Sequence, residues 1–205
     1  MPKGFYRVPD IQFDLEKMQQ ALHEVDSRVA RQSPLGERDI NAICLTQIPG
    51  DPNSITGGNV RGLFWTKPDH TGAEVQRDDP IDEKKYSEFV KLFEDTYFKE
   101  IYDALIRRYQ LVCIRLLWKM PRTTLSWHRD PEPRLHIPIT TNPGAHMVIE
   151  EINHHMPAGG SVWITNITRY HNAFNGGEED RVHLVATVLD CDMSIFEESI
   201  SASAG

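Results

Sequence analysis

The second half of the chain holds a dense series of short apolar and β-branched segments, with turn residues between them. After Tyr109 come LVCIRLLWKM, TTLSWH, RLHIPIT, AHMVIEE, GSVWITN and RVHLVATVL. Segments of this length, separated by PGA, PAGG and NGGEED, predict antiparallel strands joined by tight turns. Six or more strands within about 80 residues favour a double-sheet jelly roll or a small barrel.

The first half predicts helices and loops that buttress this β core. Apolar residues recur at helical spacing from Asp14 to Ala30 and, more strongly, from Glu83 to Tyr109. The polar segment 47–85 between them is rich in Gly, Pro and Asp and has no sustained periodicity. A segment of this kind is either functional, such as a lid over a site, or a plain surface excursion.

These patterns indicate an α+β protein with a mainly β core. We expect one domain over residues 1–192, in which 1–109 form the helical and loop part and 110–190 form the β core. Residues 193–205 are expected to be a tail.

Composition excludes several classes of function. The 205 residues include 30 acidic and 22 basic ones, a formal net charge of −8, which argues against binding to nucleic acids or anionic membranes. No apolar run approaches the length of a membrane helix, and the first residues lack the apolar core of a signal peptide. Three widely spaced cysteines without a CxxC pair form neither a disulfide framework nor a zinc knuckle. We expect a reduced, cytoplasmic protein.

The fragment His128-Arg129-Asp130 is the strongest candidate for metal chemistry. In a strand that runs into a turn, residues i and i+2 share a face, so the imidazole and the carboxylate can converge on one ion. His171, 43 residues further on, is the candidate third ligand. Two histidines and one carboxylate on one side of a metal form the arrangement of non-haem Fe(II) oxygenases. The alternative is a surface turn in which Asp130 caps a backbone group.

Arg181 follows His171 by ten residues, across the turn Asn175-Gly176-Gly177, and begins an apolar strand. A buried guanidinium needs a charge partner. It can hold the carboxylate of an acidic cosubstrate in bidentate fashion, or it can pair with an internal Asp or Glu.

In order, the motifs WHRD, RLHIPITTNPGA and MPAGGSVWITNITRYHNAFNGGEEDRVHLV resemble the aspartyl/asparaginyl β-hydroxylase family of 2-oxoglutarate- and Fe(II)-dependent dioxygenases. The resemblance runs from His128 to Leu189 and does not extend to the N-terminal half. It implies a double-stranded β-helix, a form of jelly roll, with iron inside its mouth.

The resemblance also implies roles for particular residues. His128, Asp130 and His171 would ligate Fe(II), and Arg181 would bind the distal carboxylate of 2-oxoglutarate. Arg134 and His136 would lie beside the cosubstrate, with His136 the better candidate for a carboxylate contact. Some family members carry Gly in place of the acidic ligand, whereas Asp130 is present here, as in the related free-proline hydroxylases.

Other polar residues are weaker candidates. The asparagines near His171 could fix its imidazole, although turn chemistry is favoured for Asn175. Histidines 146, 154 and 155 could form a second metal site, but surface positions are favoured. His183 either lines the pocket or is a core histidine. Trp127 is expected in the core. The remaining candidates are two arginines near the strand entering the site, for which a solvated strand edge is favoured: Arg115 and Arg122.

The leading hypothesis is a hydroxylase that uses Fe(II), O2 and 2-oxoglutarate and releases succinate, with ascorbate in a supporting role. Its substrate would be a free amino acid or a peptidyl Asp, Asn or Pro side chain. Two alternatives remain. One is a cupin-like metalloenzyme that does not use 2-oxoglutarate, and the other is a non-catalytic jelly-roll module that only binds 2-oxoglutarate or a metal.

Overall fold

Two antiparallel sheets form the centre of the protein in the computed structural model, which describes residues 2–32, 40–55, 65–76 and 81–197. The described residues contain the helices α1 (Leu15–Arg28) and α2 (Tyr97–Ile106). Their strands are β1 (Phe5–Gln12), β2 (Ile40–Cys44), β3 (Thr46–Gln47), β4 (Thr66–Pro68), β5 (Glu74–Gln76), β6 (Glu88–Phe89), β7 (Leu111–Lys119), β8 (Thr123–Thr124), β9 (Arg134–Thr140), β10 (Ala145–Ile149), β11 (Ile152–His154), β12 (Ser161–Thr165), β13 (His171–Asn175) and β14 (Arg181–Val188).

The larger sheet has the strand order β1-β12-β9-β14-β7-β2, and the smaller sheet has the order β11-β10-β13-β8. All strand pairs in both sheets are antiparallel. This architecture confirms the jelly roll and the mainly β core that the sequence predicts.

Strand β7 shows how the larger sheet separates the core from the cavity. All nine of its residues are buried, so β7 lacks the alternation of buried and exposed residues that a half-exposed strand shows. Ile114, Leu116 and Trp118 pack into the main hydrophobic core. Arg115 and Lys119, which point to the opposite face, line an internal cavity.

The two helices contribute to the main core together with the larger sheet. The side chain of Asp14 caps the start of α1 by accepting hydrogen bonds from the backbone N–H groups of Glu16 and Lys17. The buried stripe of α2 includes Phe98 and Ile101, and burial of each such side chain stabilises the fold by about 1.5–3 kcal/mol. Within the described residues, no helix combines the length and the apolar character needed to cross a membrane.

The second predicted helix, from Glu83 to Tyr109, is wrong over its first half, because α2 begins only at Tyr97. Long-range hydrogen bonds hold the earlier residues in other conformations. The carbonyl of Tyr86 accepts from the N–H of Cys113, and the N–H of Val90 donates to Leu45. Tertiary pairing therefore overrides the helical spacing of the apolar residues.

The N-terminal part also contains strands that the sequence analysis missed. Strands β1 and β2 form the two edges of the larger sheet, so residues 1–109 are not only helices and loops. Pro9 in β1 conceals the strand pattern, although proline is tolerated at a sheet edge.

At the C-terminal end, the 3₁₀ turn Met193–Phe196 buries Phe196, so ordered structure extends past residue 192. The rest of the predicted tail, from residue 198 on, lies outside the described residues. The single-domain division of the chain stays a prediction.

Candidate active site

His128, Asp130 and His171 converge at the inner side of the smaller sheet. One potential ligand atom from each lies within 4.8 Å of the other two. The two histidines are directly opposite each other and exchange both backbone N–H···O bonds, at 3.2 and 3.0 Å. Their rings lie 4.2 Å apart between centroids. Sequence positions 43 residues apart are therefore placed side by side by one antiparallel bridge.

Backbone carbonyls select the tautomer of both imidazoles. His128 Nδ1 lies 2.6 Å from the carbonyl oxygen of Ser126, and His171 Nδ1 lies 3.2 Å from that of Arg169. A carbonyl oxygen can only accept, so each Nδ1 carries a proton, and in the neutral ring Nε2 is the atom that presents a lone pair. Burial, reinforced by His128, lowers the pKa of His171 to about 3, which keeps its ring neutral. Neutral imidazoles with an available Nε2 suit a divalent metal ion.

Asp130 stays ionised although it is largely removed from solvent. Burial is the largest influence and raises its pKa, but the opposing charges, above all that of Arg134, hold the pKa of this carboxyl below its ordinary value. Arg134 approaches the Asp130 Oδ2 atom at 3.4 Å. The three candidate ligands thus comprise one charged carboxylate and two imidazoles, the donor set of the facial arrangement.

A buried acidic residue, Glu83, organises the arginines beside this cluster. Its two carboxylate oxygens contact Arg134 at 2.9 Å and Arg115 at 3.3 Å. Arg134 donates a further hydrogen bond to the hydroxyl of Thr187, at 2.6 Å. Arg134 therefore lies beside the metal-ligand cluster, but internal partners already occupy its guanidinium.

Arg181 differs from the other buried arginines because its side chain contacts an imidazole. It is 6% exposed and donates to His183 through Nε at 3.1 Å, while Nη2 lies 2.8 Å from the other ring nitrogen. Within the described residues no carboxylate lies within ion-pair distance of it. Burial lowers the pKa of Arg181 to about 10, so the guanidinium remains charged at neutral pH. An uncompensated buried guanidinium favours an anionic ligand.

These residues share one cavity, which encloses about 640 Å³ when its open mouth is counted. The metal-ligand cluster and Arg181 both line it, as does His136. His136 is 4% exposed, and neither of its ring nitrogens has a hydrogen-bond partner among the described residues. Burial, reinforced by Arg181, holds the pKa of His136 well below its ordinary value. The cavity thus combines a possible metal site with polar groups that await a ligand.

The hairpin of β4 and β5 lies against the turn that carries two of the candidate ligands. The N–H groups of Trp65 and Thr66 donate to the carbonyl of Arg129, at 3.0 and 3.2 Å. The guanidinium of Arg129 forms an ion pair with Glu74 on the second strand of the hairpin. Part of the segment 47–85 is therefore attached to the site, whereas 56–64 and 77–80 lie outside the described residues. Its action as a lid stays a prediction.

The asparagines do not hold the imidazole of His171, since a backbone carbonyl does so. Asn166 accepts from Thr168 at 2.6 Å, and Asn172 Oδ1 has no partner among the described residues. Asn175 stabilises the turn before β14: its Nδ2 donates to Lys119 and Glu179, and its Oδ1 accepts from Asn142 and Gly177. The preference for turn chemistry at Asn175 is confirmed.

Two further expectations are wrong. Trp127 is 39% exposed and does not belong to the core. Arg115 is 3% exposed and lines the cavity, so it is not at a solvated strand edge. The solvent-exposed position predicted for Arg122 is confirmed, since Arg122 forms an exposed ion pair with Glu178.

The other histidines do not add a second metal site within the described part of the chain. The rings of His146 and His155 lie 5.6 Å apart, but the cluster at residues 128, 130 and 171 alone meets the distance requirement for a metal. His183 is a buried histidine in contact with Arg181, and it does not line the cavity.

Sequence reasoning missed Glu83 and Lys119. Glu83 lies in a segment whose spacing suggested a helix, so its approach to the arginines was hidden. Lys119 is fully buried and lies opposite Arg181 in the register of β7 and β14. The sequence of β7 contains a hint of this cationic face. Arg115 and Lys119 interrupt an apolar segment and are four residues apart, so in a strand their side chains project to the same face.

Comparison with known proteins agrees with this architecture. The model of the family described as aspartyl/asparaginyl beta-hydroxylase matches residues 83–190, more than half of the chain. The protein therefore belongs to the aspartyl/asparaginyl β-hydroxylase family, a family of hydroxylases. A search of curated protein sequences finds no match.

Solved structures resemble the chain in fold. A prolyl hydroxylase of Trichoplax adhaerens, in complex with a hypoxia-inducible-factor peptide fragment, is 9% identical with a TM-score of 0.51, covering 91% of this chain and 83% of its own. An oxidoreductase of the 2OG-Fe(II) oxygenase family from Burkholderia pseudomallei is 14% identical with a TM-score of 0.49, over 90% and 84% of the two chains. A Pseudomonas putida prolyl-4-hydroxylase is 11% identical with a TM-score of 0.46, over 91% and 92%. At these identities the likeness concerns the fold.

Proposed function

We propose that the protein is an Fe(II)- and 2-oxoglutarate-dependent dioxygenase that hydroxylates an amino acid or a peptidyl Asp, Asn or Pro side chain. One observation carries this proposal: a two-histidine, one-carboxylate cluster lines the same cavity as a buried arginine that has no carboxylate partner among the described residues. Membership of a hydroxylase family supports it.

The described residues fit the metal. His128 and His171 would bind Fe(II) through Nε2, because their Nδ1 atoms are bonded to carbonyls, and Asp130 would supply an anionic oxygen. Three protein ligands leave further positions for the cosubstrate and O2. When bound, Fe(II) would activate O2 with 2-oxoglutarate as the reductant: one oxygen atom would enter succinate as 2-oxoglutarate loses carbon dioxide, and the other would enter the substrate as its hydroxyl group.

The chain's own side chains would bind and orient the cosubstrate. Arg181 would bind the distal carboxylate, held in position by its contact with His183. His136, whose two ring nitrogens have no hydrogen-bond partner in the part of the chain that the structure describes, would lie beside the cosubstrate. Arg134 would act chiefly by holding Asp130, because Glu83 and Thr187 already occupy it.

Succinate formation tests the proposal. Purified protein is incubated with Fe(II), 2-oxoglutarate, O2 and ascorbate, which keeps the iron reduced, against panels of amino acids and short peptides. We expect substrate-dependent succinate from the wild-type protein and none from His171→Ala. Metal binding without succinate against any panel member would contradict the proposal.

The two alternatives give other results. A cupin-like metalloenzyme would bind metal but not 2-oxoglutarate, and Arg181→Ala would leave this unchanged. A non-catalytic module would bind 2-oxoglutarate without turnover. The cytoplasmic location stays a prediction.

A further inference from the structure

Arg129 lies between two of the candidate metal ligands, His128 and Asp130, in a turn that we call the ligand turn (residues 128–130). Neighbouring residues of an extended segment project to opposite faces, so the two ligands face the cavity and Arg129 faces away from it. Arg129 is accordingly not among the described residues that line the cavity. The proposed metal and cosubstrate chemistry gives this side chain no role.

The backbone of Arg129 pairs with the hairpin of β4 and β5. Its N–H donates to the carbonyl of Thr66 at 2.7 Å, and its carbonyl accepts from the N–H groups of Trp65 and Thr66, at 3.0 and 3.2 Å. Strand β4 therefore forms an antiparallel bridge to the middle of the ligand turn. A two-stranded hairpin with three residues in each strand is marginally stable alone, so this attachment contributes to its stability.

The side chain of Arg129 contacts both strands of the same hairpin. Its Nε donates to the hydroxyl of Thr66 at 3.1 Å, and its Nη2 forms the ion pair with Glu74 on β5. The guanidinium also lies 5.3 Å from the ring centre of Trp65, within the range of cation–π attraction. Arg129 is thus attached to the hairpin through its backbone, a hydrogen bond, an ion pair and an aromatic ring.

The same guanidinium contacts the segment that carries the third candidate ligand. It lies 5.4 Å from the ring centre of Tyr170, the residue before His171. The hydrogen bond from Arg129 lowers the pKa of Glu74 below its ordinary value, and a further hydrogen bond from Tyr170 acts in the same direction. Residues next to all three candidate ligands therefore converge on one carboxylate of the hairpin.

These outer contacts support a connection that is narrow on the inner side. There, the ligand turn is joined to the start of β13 by an isolated bridge between His128 and His171. A functional site needs its side chains held within about 0.5 Å of the productive geometry, which requires support from surrounding residues. The contacts of Arg129 supply such support from the side opposite to the cavity.

We propose that Arg129 is a positioning residue that couples the β4–β5 hairpin to the metal site, so that metal binding and docking of the hairpin stabilise each other. This inference rests on the proposed function, since it takes residues 128, 130 and 171 as metal ligands. The coupling is reciprocal: the factor by which the docked hairpin raises metal affinity is the factor by which bound metal stabilises the docked hairpin. The side chains of Arg129 and Glu74 are 28% and 40% exposed, so solvent weakens their ion pair, and we expect a factor of about ten.

Affinity for Co(II), measured by calorimetry, tests the first half of the coupling. Arg129→Ala and Glu74→Ala should each weaken Co(II) binding about tenfold, the lower end of the cost of losing an outer partner. Glu74 is the sharper test, because it belongs to the hairpin and acts on the ligands only through other residues. The double variant should bind little more weakly than either single variant, since both substitutions break the same connection. Arg129→Lys retains the charge and should recover part of the affinity.

Hydrogen exchange, followed by NMR without 2-oxoglutarate, tests the second half. The reporters are the N–H groups of Trp65, Thr66 and Arg129, whose hydrogen bonds join the hairpin to the ligand turn. Saturating Zn(II), a diamagnetic ion, should slow their exchange about tenfold in the wild-type protein and less than twofold in Glu74→Ala. A purely structural ion pair would affect the melting temperature but leave this response to Zn(II) unchanged.

Arg28→Ala is the matched control. The side chain of Arg28 is also 28% exposed, and it forms an ion pair with Asp95. Its removal should change neither the affinity for Co(II) nor the exchange of the hairpin. Thermal melting without metal shows whether the variants are folded. Should Arg129→Ala fail to fold, Glu74→Gln, a milder change on an exposed strand, still has to weaken Co(II) binding.

Two results would overturn the inference. One is an affinity for Co(II) in the Glu74 variants within twofold of the wild-type value. The other is an exchange of the three N–H groups that responds to Zn(II) equally in the wild-type protein and Glu74→Ala, or in neither. Coupling without any binding of 2-oxoglutarate would contradict the proposed function alone, whereas a wild-type protein that binds no divalent metal would contradict both.

Discussion

The two sides of the cavity carry different chemistry. The smaller sheet and the turn beside it supply the candidate metal ligands, and backbone carbonyls orient the two imidazoles. The larger sheet supplies buried cations, and side-chain contacts to Glu83 and His183 orient its arginines. A metal site held by the backbone and an anion site held by side chains should therefore respond differently to mutation.

The largest expected effect is the loss of metal from the first side. His171→Ala should weaken binding of Co(II) or Fe(II) by at least about a hundredfold, because loss of an outer partner alone already costs ten- to hundredfold. Anaerobic calorimetry measures this affinity. His146→Ala is the matched control, and Arg181→Ala should leave metal affinity within twofold. Equal losses in the His171 and Arg181 variants would contradict the division of the cavity into two sides.

Glu83→Gln tests how the two sides are connected. The substitution leaves Arg115 and Arg134 without their shared carboxylate, and breaking such a buried pair costs about 3 kcal/mol of the free energy of unfolding. Arg134 would then pair more closely with Asp130 and compete with the ion, so metal affinity should fall about tenfold.

Urea unfolding and metal titration measure these effects. Glu178→Gln, which removes the partner of the exposed Arg122, should change neither the free energy of unfolding nor metal affinity. A normal metal affinity in a folded Glu83→Gln variant would show that the arginines do not influence Asp130.

A smaller, graded effect concerns pH and the metal-free protein. Three buried histidines have pKa values below the ordinary value of a histidine: His136, His171 and His183. Below about pH 6.5 these rings therefore stay neutral in the folded state, whereas they become protonated in the unfolded state. Above about pH 6.5 both states are neutral at these rings. As pH falls below that value, the free energy of unfolding should decrease by about 1.4 kcal/mol per pH unit for each histidine.

Urea midpoints measured with a chelator between about pH 7 and pH 5 test this slope. His136→Gln removes one of the three rings and should reduce the slope by about a third, whereas exposed His23→Gln should not change it. A slope that the His136 variant leaves unchanged would mean that this ring is accessible to protons in the folded state.

The two sides also differ in how well the sequence predicts them. The metal side follows from local order: His128 and Asp130 are two residues apart, and His171 begins a strand with a recognisable turn after it. Arg181 was found because it begins the next strand. All of these lie in the region where strand segments and turns alternate regularly.

The anion side depends on contacts between distant parts of the chain. Glu83 reaches Arg115 and Arg134 only because residues 86–90 leave the expected helix to pair with other segments. The sequence favoured a strand edge for Arg115, because the residues around it do not show that β7 is an inner strand. In the structure β2 pairs with one side of β7 and β14 pairs with the other. The sequence predicted which segments form strands, but it did not predict the order of these strands in the sheet, which decides the surroundings of Arg115.

Anaerobic titration of Fe(II)-loaded protein with 2-oxoglutarate tests the central claim most directly, by the visible metal-to-ligand charge-transfer band. We expect a band that saturates in the wild-type protein, is absent in His171→Ala and requires about ten- to hundredfold more 2-oxoglutarate in Arg181→Ala. No band despite bound iron would contradict the assignment of 2-oxoglutarate as cosubstrate. The cupin-like alternative would then be the better explanation.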